Sequence, residues 1–124
     1  MVQIPEAVKT AWENRKGPVA FATVGENAVP NVIYASCVKM TDGDKIVIAD
    51  NFFSKTRENI HAGSRGAVLF ITDRGVAYQV KGAVEYHVDG PLFDDMKKWN
   101  GRRPGHAAAA VRIEEVYSGA EKLM

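Results

Sequence analysis

The sequence predicts a mainly β fold: a six-stranded antiparallel β-barrel with short covering helices. Three observations carry that expectation. Apolar runs of strand length recur along the chain, and most are joined by connections too short for the crossover a parallel pair needs. Residues 76–89 alternate without a slip, with Val76, Tyr78, Val80, Gly82, Val84, Tyr86 and Val88 on one face. They read as one strand, long enough to wrap a barrel and bent at Gly82. Helical spacing, by contrast, is confined to three short segments.

The first element is a helix. Ile4, Ala7, Val8, Ala11 and Trp12 share a face, Pro5 suits the first turn, and Gly17-Pro18 ends it. Residues 19–24 (VAFATV) are apolar on both faces, the pattern of a strand covered on both sides. Residues 31–40 (NVIYASCVKM) form the second strand, which turns at Thr41-Asp42-Gly43-Asp44 into a hairpin partner at residues 45–50 (KIVIAD). A short helix follows, capped by Ser54 or Thr56, running through Ile60 and stopping near Gly63. Residues 67–72 (AVLFIT) are another strand apolar on both faces, and Asp73-Arg74-Gly75 turns the chain into the long strand. Asp89-Gly90-Pro91 opens the third helix, with Leu92, Phe93, Met96 and Trp99 as its apolar stripe. After the loop at 101–105 (GRRPG), residues 107–117 make the last strand. Its alternation slips at Glu114-Glu115, which signals a bulge or an exit from the sheet. The tail SGAEKLM is expected to be loose or to dock on a partner.

The 124 residues fit a single domain, taken as 1–124. With 46% hydrophobic and 25% charged residues, the composition is globular rather than disordered. Sixteen Lys and Arg against 15 Asp and Glu leave a net charge of +1. That is too weak a field for a general nucleic-acid or membrane-surface binder. The single cysteine, Cys37, rules out an intrachain disulfide framework. No apolar run approaches the ~18 residues that span a bilayer. The start, MVQIPEAVK, lacks the basic-then-apolar order of a signal peptide, so the expected location is cytoplasmic.

The segment that bears chemistry is residues 50–59. It follows a strand, opens a helix, and carries Ser54, Lys55, Thr56 and Arg57 in succession. A helix start offers unpaired N–H groups and a partial positive charge. Hydroxyls and cations beside it suit an anion or a phosphate. On composition alone the plainer account is that Ser54 caps the helix and the cations are solvated.

This segment, IADNFFSKTRENI, preceded by PNVIYASCVKMTDGDKIVI, resembles the FMN-binding split-barrel superfamily, which includes pyridoxamine 5′-phosphate oxidase and small bacterial FMN-binding proteins. The pieces stand in the family's order: VAFATVGENAVPNV, DGDKIVIAD, SKTRENI, AVLFIT and YQVKGAVEYHVDGPLFDDM. The resemblance covers residues 10–117. It implies a six-stranded antiparallel split barrel of Greek-key type, forming a homodimer with a flavin in a groove between the subunits. It also implies phosphate contacts from Lys55 and Thr56, with Ser54 beside them. The isoalloxazine ring is expected against Val32, Ile33, Tyr34 and Ala35 of the second strand, and against Ala49, Asp50 and Asn51 at the end of the third. The implied activity is FMN-dependent redox chemistry, as an electron carrier or an oxidoreductase. Its redox partner or small-molecule substrate is unknown, and no nucleic acid or membrane is expected as a partner. The alternatives are a non-catalytic protein holding haem, a deazaflavin or another planar ligand in the same groove, and an interaction module without cofactor.

Two departures separate the chain from the pyridoxamine phosphate oxidases themselves. NVIYAS carries no Arg beside the flavin phosphate, and the ending YSGAEKLM lacks an Arg-rich substrate segment. Oxidation of pyridoxamine phosphate is therefore not carried over. Arg102 and Arg103 are expected in a solvated loop unless they meet an anionic substrate or partner. Cys37 reads as a small buried residue, and Trp12 and Trp99 as packing residues. Tyr34 suits either a ring contact or the core. His61, His87 and His106 lack metal-ligand spacing.

Overall fold

The computed structural model describes residues 4–42 and 44–124. Gly43 of the expected hairpin turn, and the first three residues of the signal-peptide reading, lie outside them; the hairpin itself is present, Val38–Met40 pairing antiparallel with Lys45–Ala49. In chain order the elements are α1 (Glu6–Glu13), β1 (Val19–Val24), β2 (Pro30–Ala35), β3 (Val38–Met40), β4 (Lys45–Ala49), α2 (Lys55–His61), β5 (Arg65–Ile71), β6 (Ala77–His87), α3 (Gly90–Asn100), β7 (Ala108–Arg112), β8 (Glu115–Ser118) and β9 (Glu121–Lys122).

The strands run β2-β1-β5-β6-β7-β4-β3, with β8 on β6 and β9 on β8, and every pair is antiparallel. The two ends of that path, β2 and β3, are consecutive in the chain. Ser36-Cys37 therefore closes the barrel by covalent continuity rather than by a strand pair, which is the split of a split barrel. The fold is the mainly β antiparallel architecture the sequence predicts. Among the described residues the six expected strands become nine. Those at 31–40 and 107–117 each break where they pass from one sheet to the other, and the tail adds a short one.

The break between β7 and β8 is a register slip. β6 pairs Val84 with Val111 and Glu85 with Ala110, but Val80 with Val116 and Lys81 with Glu115. One extra residue is absorbed at Ile113-Glu114, a β-bulge one position before the expected slip. It sits opposite Gly82, where a Cβ would overlap the Arg112 carbonyl oxygen. The crossing is possible only where β6 carries no side chain.

Inward side chains of both sheets share one core, including Phe21, Ile46, Ile48, Val68, Val80, Val111 and Val116. From α1, Val8 and Trp12 join this core, and Trp12 packs edge-on to Phe70 at 5.1 Å between centroids. A second cluster lies under α3, where Met96 meets Val47, Ala49, Ala108 and Ala110, flanked by Leu92, Phe93 and Trp99. The small alanines of β7 let the helix approach the sheet closely.

β1 and β5, expected to be covered on both faces, are covered on one. Val19, Phe21, Val68 and Phe70 point inward and are buried. The register sets Tyr34, Ala20 and Leu69 in one outward row and Val32, Ala22 and Ala67 in the next. Val32, Tyr34, Leu69 and Ile71 are exposed, so this face is apolar and bare in the single chain. The tail is not loose. Leu123 N–H donates to Val116 O at 2.8 Å, Val116 N–H donates to Met124 O at 3.0 Å, and both terminal side chains pack on the core. Among the described residues no helix is long and apolar enough to cross a membrane.

Candidate functional site

Where β2 runs into β3, beside the end of β4, a groove of about 290 Å³ opens. Ile33, Tyr34 and Ala35 form one wall, Ala49, Asn51, Phe52 and Phe53 another, and Ser36, Cys37 and Arg103 complete it. Ile33, Tyr34, Ala35, Ala49 and Asn51, five of the expected ring contacts, thus come together. Val32 lies beside it in a smaller hollow of about 190 Å³ with Ala20, on the bare outer face. Among the described residues β2 has a strand neighbour on one side only. Alternate backbone N–H and C=O groups of residues 30–35 therefore face away from the sheet, unpaired with any strand.

Asp50 is different. Its side chain is fully buried and turned from the groove. Arg57 grips it with two hydrogen bonds, Nε to Oδ2 at 2.8 Å and NH2 to Oδ1 at 2.9 Å. The Phe53 N–H donates to Oδ1 at 3.1 Å and the Tyr86 hydroxyl donates to Oδ2. Burial alone would push this carboxyl up. The bonds from Arg57, Tyr86 and the Phe53 N–H outweigh it and hold the group below the usual carboxylate range. Burial and donation to Asp50 push the Tyr86 phenol up, and the Asp50 partner raises Arg57.

Asn51 is also buried. It exchanges amide bonds with Asn100 at 3.1 and 2.8 Å, and its Oδ1 accepts the Gly105 N–H at 2.9 Å. Lys97 Nζ donates to Pro104 O at 3.0 Å. The loop that carries Arg103 is thereby fastened to the groove wall. Arg103 itself is exposed, as expected, yet lines the groove.

The start of α2 follows the groove wall: Phe53 lines the groove, and Ser54, Lys55 and Thr56 are not among its lining residues. Ser54 holds the N-cap position without a side-chain cap bond, and Lys55 is exposed. Thr56 is buried and its hydroxyl accepts the Asn31 Nδ2–H at 3.0 Å. Asn59 Nδ2 donates to Thr23 Oγ1 at 3.0 Å, so α2 is pinned across β1 and the start of β2. Asn31 and Ala35 are four residues apart on β2. The start of β2 and the Ala35 end of the groove wall are therefore about 13 Å apart at a strand's rise.

Sequence reasoning missed Ser36, Cys37, Phe52 and Phe53 as lining residues, and had Arg103 as a solvated loop residue unless it met an anionic substrate or partner. Cys37 is half-buried rather than buried, because it sits at the crossing between sheets. A signal for Phe52 was present: two consecutive aromatics after a strand cannot both face inward. Phe53 enters the core 6.1 Å from Phe21, and Phe52 is left 83% exposed. His87 pairs with Glu85 at 2.8 Å, His61 packs edge-on to Tyr86, and His106 is exposed.

The sequence profile of the family described as pyridoxamine 5′-phosphate oxidase matches residues 4–119. An uncharacterized protein of Methanocaldococcus jannaschii is 30% identical, over 95% of this chain and 82% of its own. An FMN-binding protein of Nitratidesulfovibrio vulgaris is 26% identical, over 81% of this chain and 88% of its own. Among solved structures, HupZ of group A Streptococcus superposes with a TM-score of 0.82 over 98% of both chains, at 22% identity, a likeness of fold.

Proposed function

The chain belongs to the pyridoxamine 5′-phosphate oxidase family, and from that premise we propose that it is a cytoplasmic FMN-binding redox protein whose flavin lies between two copies of the chain. It serves as an electron carrier or as an oxidoreductase of a small molecule.

The observation that carries this reading is the layout along β2. Its middle and end form the wall of a groove beside an open strand edge, and its start meets α2 with Lys55 exposed. A flat ring needs an apolar wall with donors next to it, and a phosphate tail needs a cation some distance away. The residues present fit both. The ring takes Val32, Ile33, Tyr34, Ala35, Ala49 and the Asn51 side of the groove; the phosphate takes Ser54, Lys55 and Thr56. The groove of about 290 Å³ is smaller than the ~300–1,000 Å³ common for ligand sites. The bare apolar face of β2, β1 and β5 adjoins it, so a second chain seated there enlarges the site and covers the face at once. Bound FMN supplies one- or two-electron chemistry. The chain's own residues orient it, exclude water and set the polarity around the ring.

The test separates phosphate from ring. Lys55→Ala should weaken FMN by about tenfold or more and leave riboflavin nearly unchanged, because only FMN carries the anion. Equal losses for both ligands contradict the phosphate assignment. Uptake of haem or a deazaflavin in preference to FMN would replace the cofactor in this reading while keeping the groove.

A further inference from the structure

We propose that Asp50, with Arg57 and Tyr86, is a positioning residue that sets the groove wall made by Asn51, Phe52 and Phe53. The inference rests on the flavin reading above and deepens it at the same site. Asp50 does not line the groove, yet all of its polar groups are engaged. Its carboxylate accepts from Arg57, Tyr86 and the Phe53 N–H. Its own N–H donates to Ala107 O at 2.9 Å, and its carbonyl accepts the His106 N–H at 2.8 Å.

One residue thus ties the wall segment to α2, to β6 and to the chain entering β7. The wall is held from its other side by Asn51, through Asn100 and Gly105. Ser54, where a helix cap would ordinarily join loop to helix, makes no such side-chain bond. The Asp50–Arg57 pair takes over that connection. Asp50 is fully enclosed while Arg57 is 36% exposed, so the carboxylate's loss of water offsets part of what the pair gains. The pair's presence here, directly behind the groove, is better accounted for by placement. A wall already ordered before the ligand arrives need not be ordered by binding, and that raises affinity for whatever lies against it.

The clamp acts on the ring wall, so its loss should weaken FMN and riboflavin together, unlike the loss of Lys55. Asp50→Asn and Arg57→Gln are to be compared with the unaltered protein, at a temperature where each is folded, for the affinity of both flavins. Hydrogen exchange at the Phe53 amide is measured in the ligand-free protein. The expected result is a loss of about tenfold for both flavins and Phe53 exchange faster by about tenfold or more, the scale of a charge-assisted hydrogen bond. A folded variant with unchanged affinity for both flavins, or one that loses FMN alone, overturns the proposal. If the unaltered protein binds neither flavin, the functional reading fails separately, and an unchanged Phe53 exchange rate then overturns the clamp by itself. Should Asp50→Asn not fold, Arg57→Gln carries both measurements, since the Arg57 side chain reaches solvent.

Discussion

At position 50 a carboxylate that the sequence offers as a ring contact turns inward and meets Arg57 and Tyr86. Its effect on stability has a definite sign. The folded carboxyl is held below its ordinary value, so its contribution is complete above the unfolded value of about 3.9 and is lost as pH falls through the lower folded value. Asp50→Asn should cost about 2 kcal/mol at neutral pH and flatten the acid limb of an unfolding curve followed by circular dichroism. An acid limb identical to that of the unaltered protein would show that Asp50 is not held as described. Gly82→Ala is the other sharp test at this scale. The new methyl meets the Arg112 backbone, which cannot swing aside as a side chain can. A destabilisation of about 3 kcal/mol is expected in denaturant titration, and a change under about 0.5 kcal/mol, the range of ordinary surface substitutions, would contradict the described crossing. The gathering of Ile33, Tyr34 and Ala35 with Ala49 and Asn51 around one groove was legible through the family resemblance and the order of its motifs. The direction of Asp50 was not, because it depends on Tyr86, 36 positions away, as well as on Arg57, and no local pattern encodes that combination.

Strands and helices were more legible than their breaks. Alternation over residues 76–89 and the stripe Leu92, Phe93, Met96 and Trp99 correspond to β6 and α3. The splits at Ser36-Cys37 and Ile113-Glu114 arise where a strand changes sheets, which follows from barrel closure rather than local preference. The doubly apolar runs of β1 and β5 carried information of another kind. One face is core, and the other is bare, with Tyr34, Val32, Leu69 and Ile71 outward. Leu69→Lys should leave the single chain's stability within about 0.5 kcal/mol, as for a surface position. It should also shift the protein to single-chain mass in sedimentation, with flavin affinity falling in step. A dimer that survives this charge with its flavin intact would place the partner on some other face.

For the molecule as a whole, a barrel closed by chain continuity at β2–β3 puts its groove beside an exposed apolar sheet, so the proposed association and the proposed ligand site would share one face. A chain of 13.6 kDa has limited surface with which to enclose a flavin alone. The most direct measurement is native mass spectrometry of the purified protein, with the ligand released by heat and identified by its spectrum and mass. The account predicts two chains carrying two FMN molecules, and apoprotein that recovers that composition when FMN is added. A single chain that retains FMN, or a pair of chains that neither carries nor takes up FMN, would contradict it.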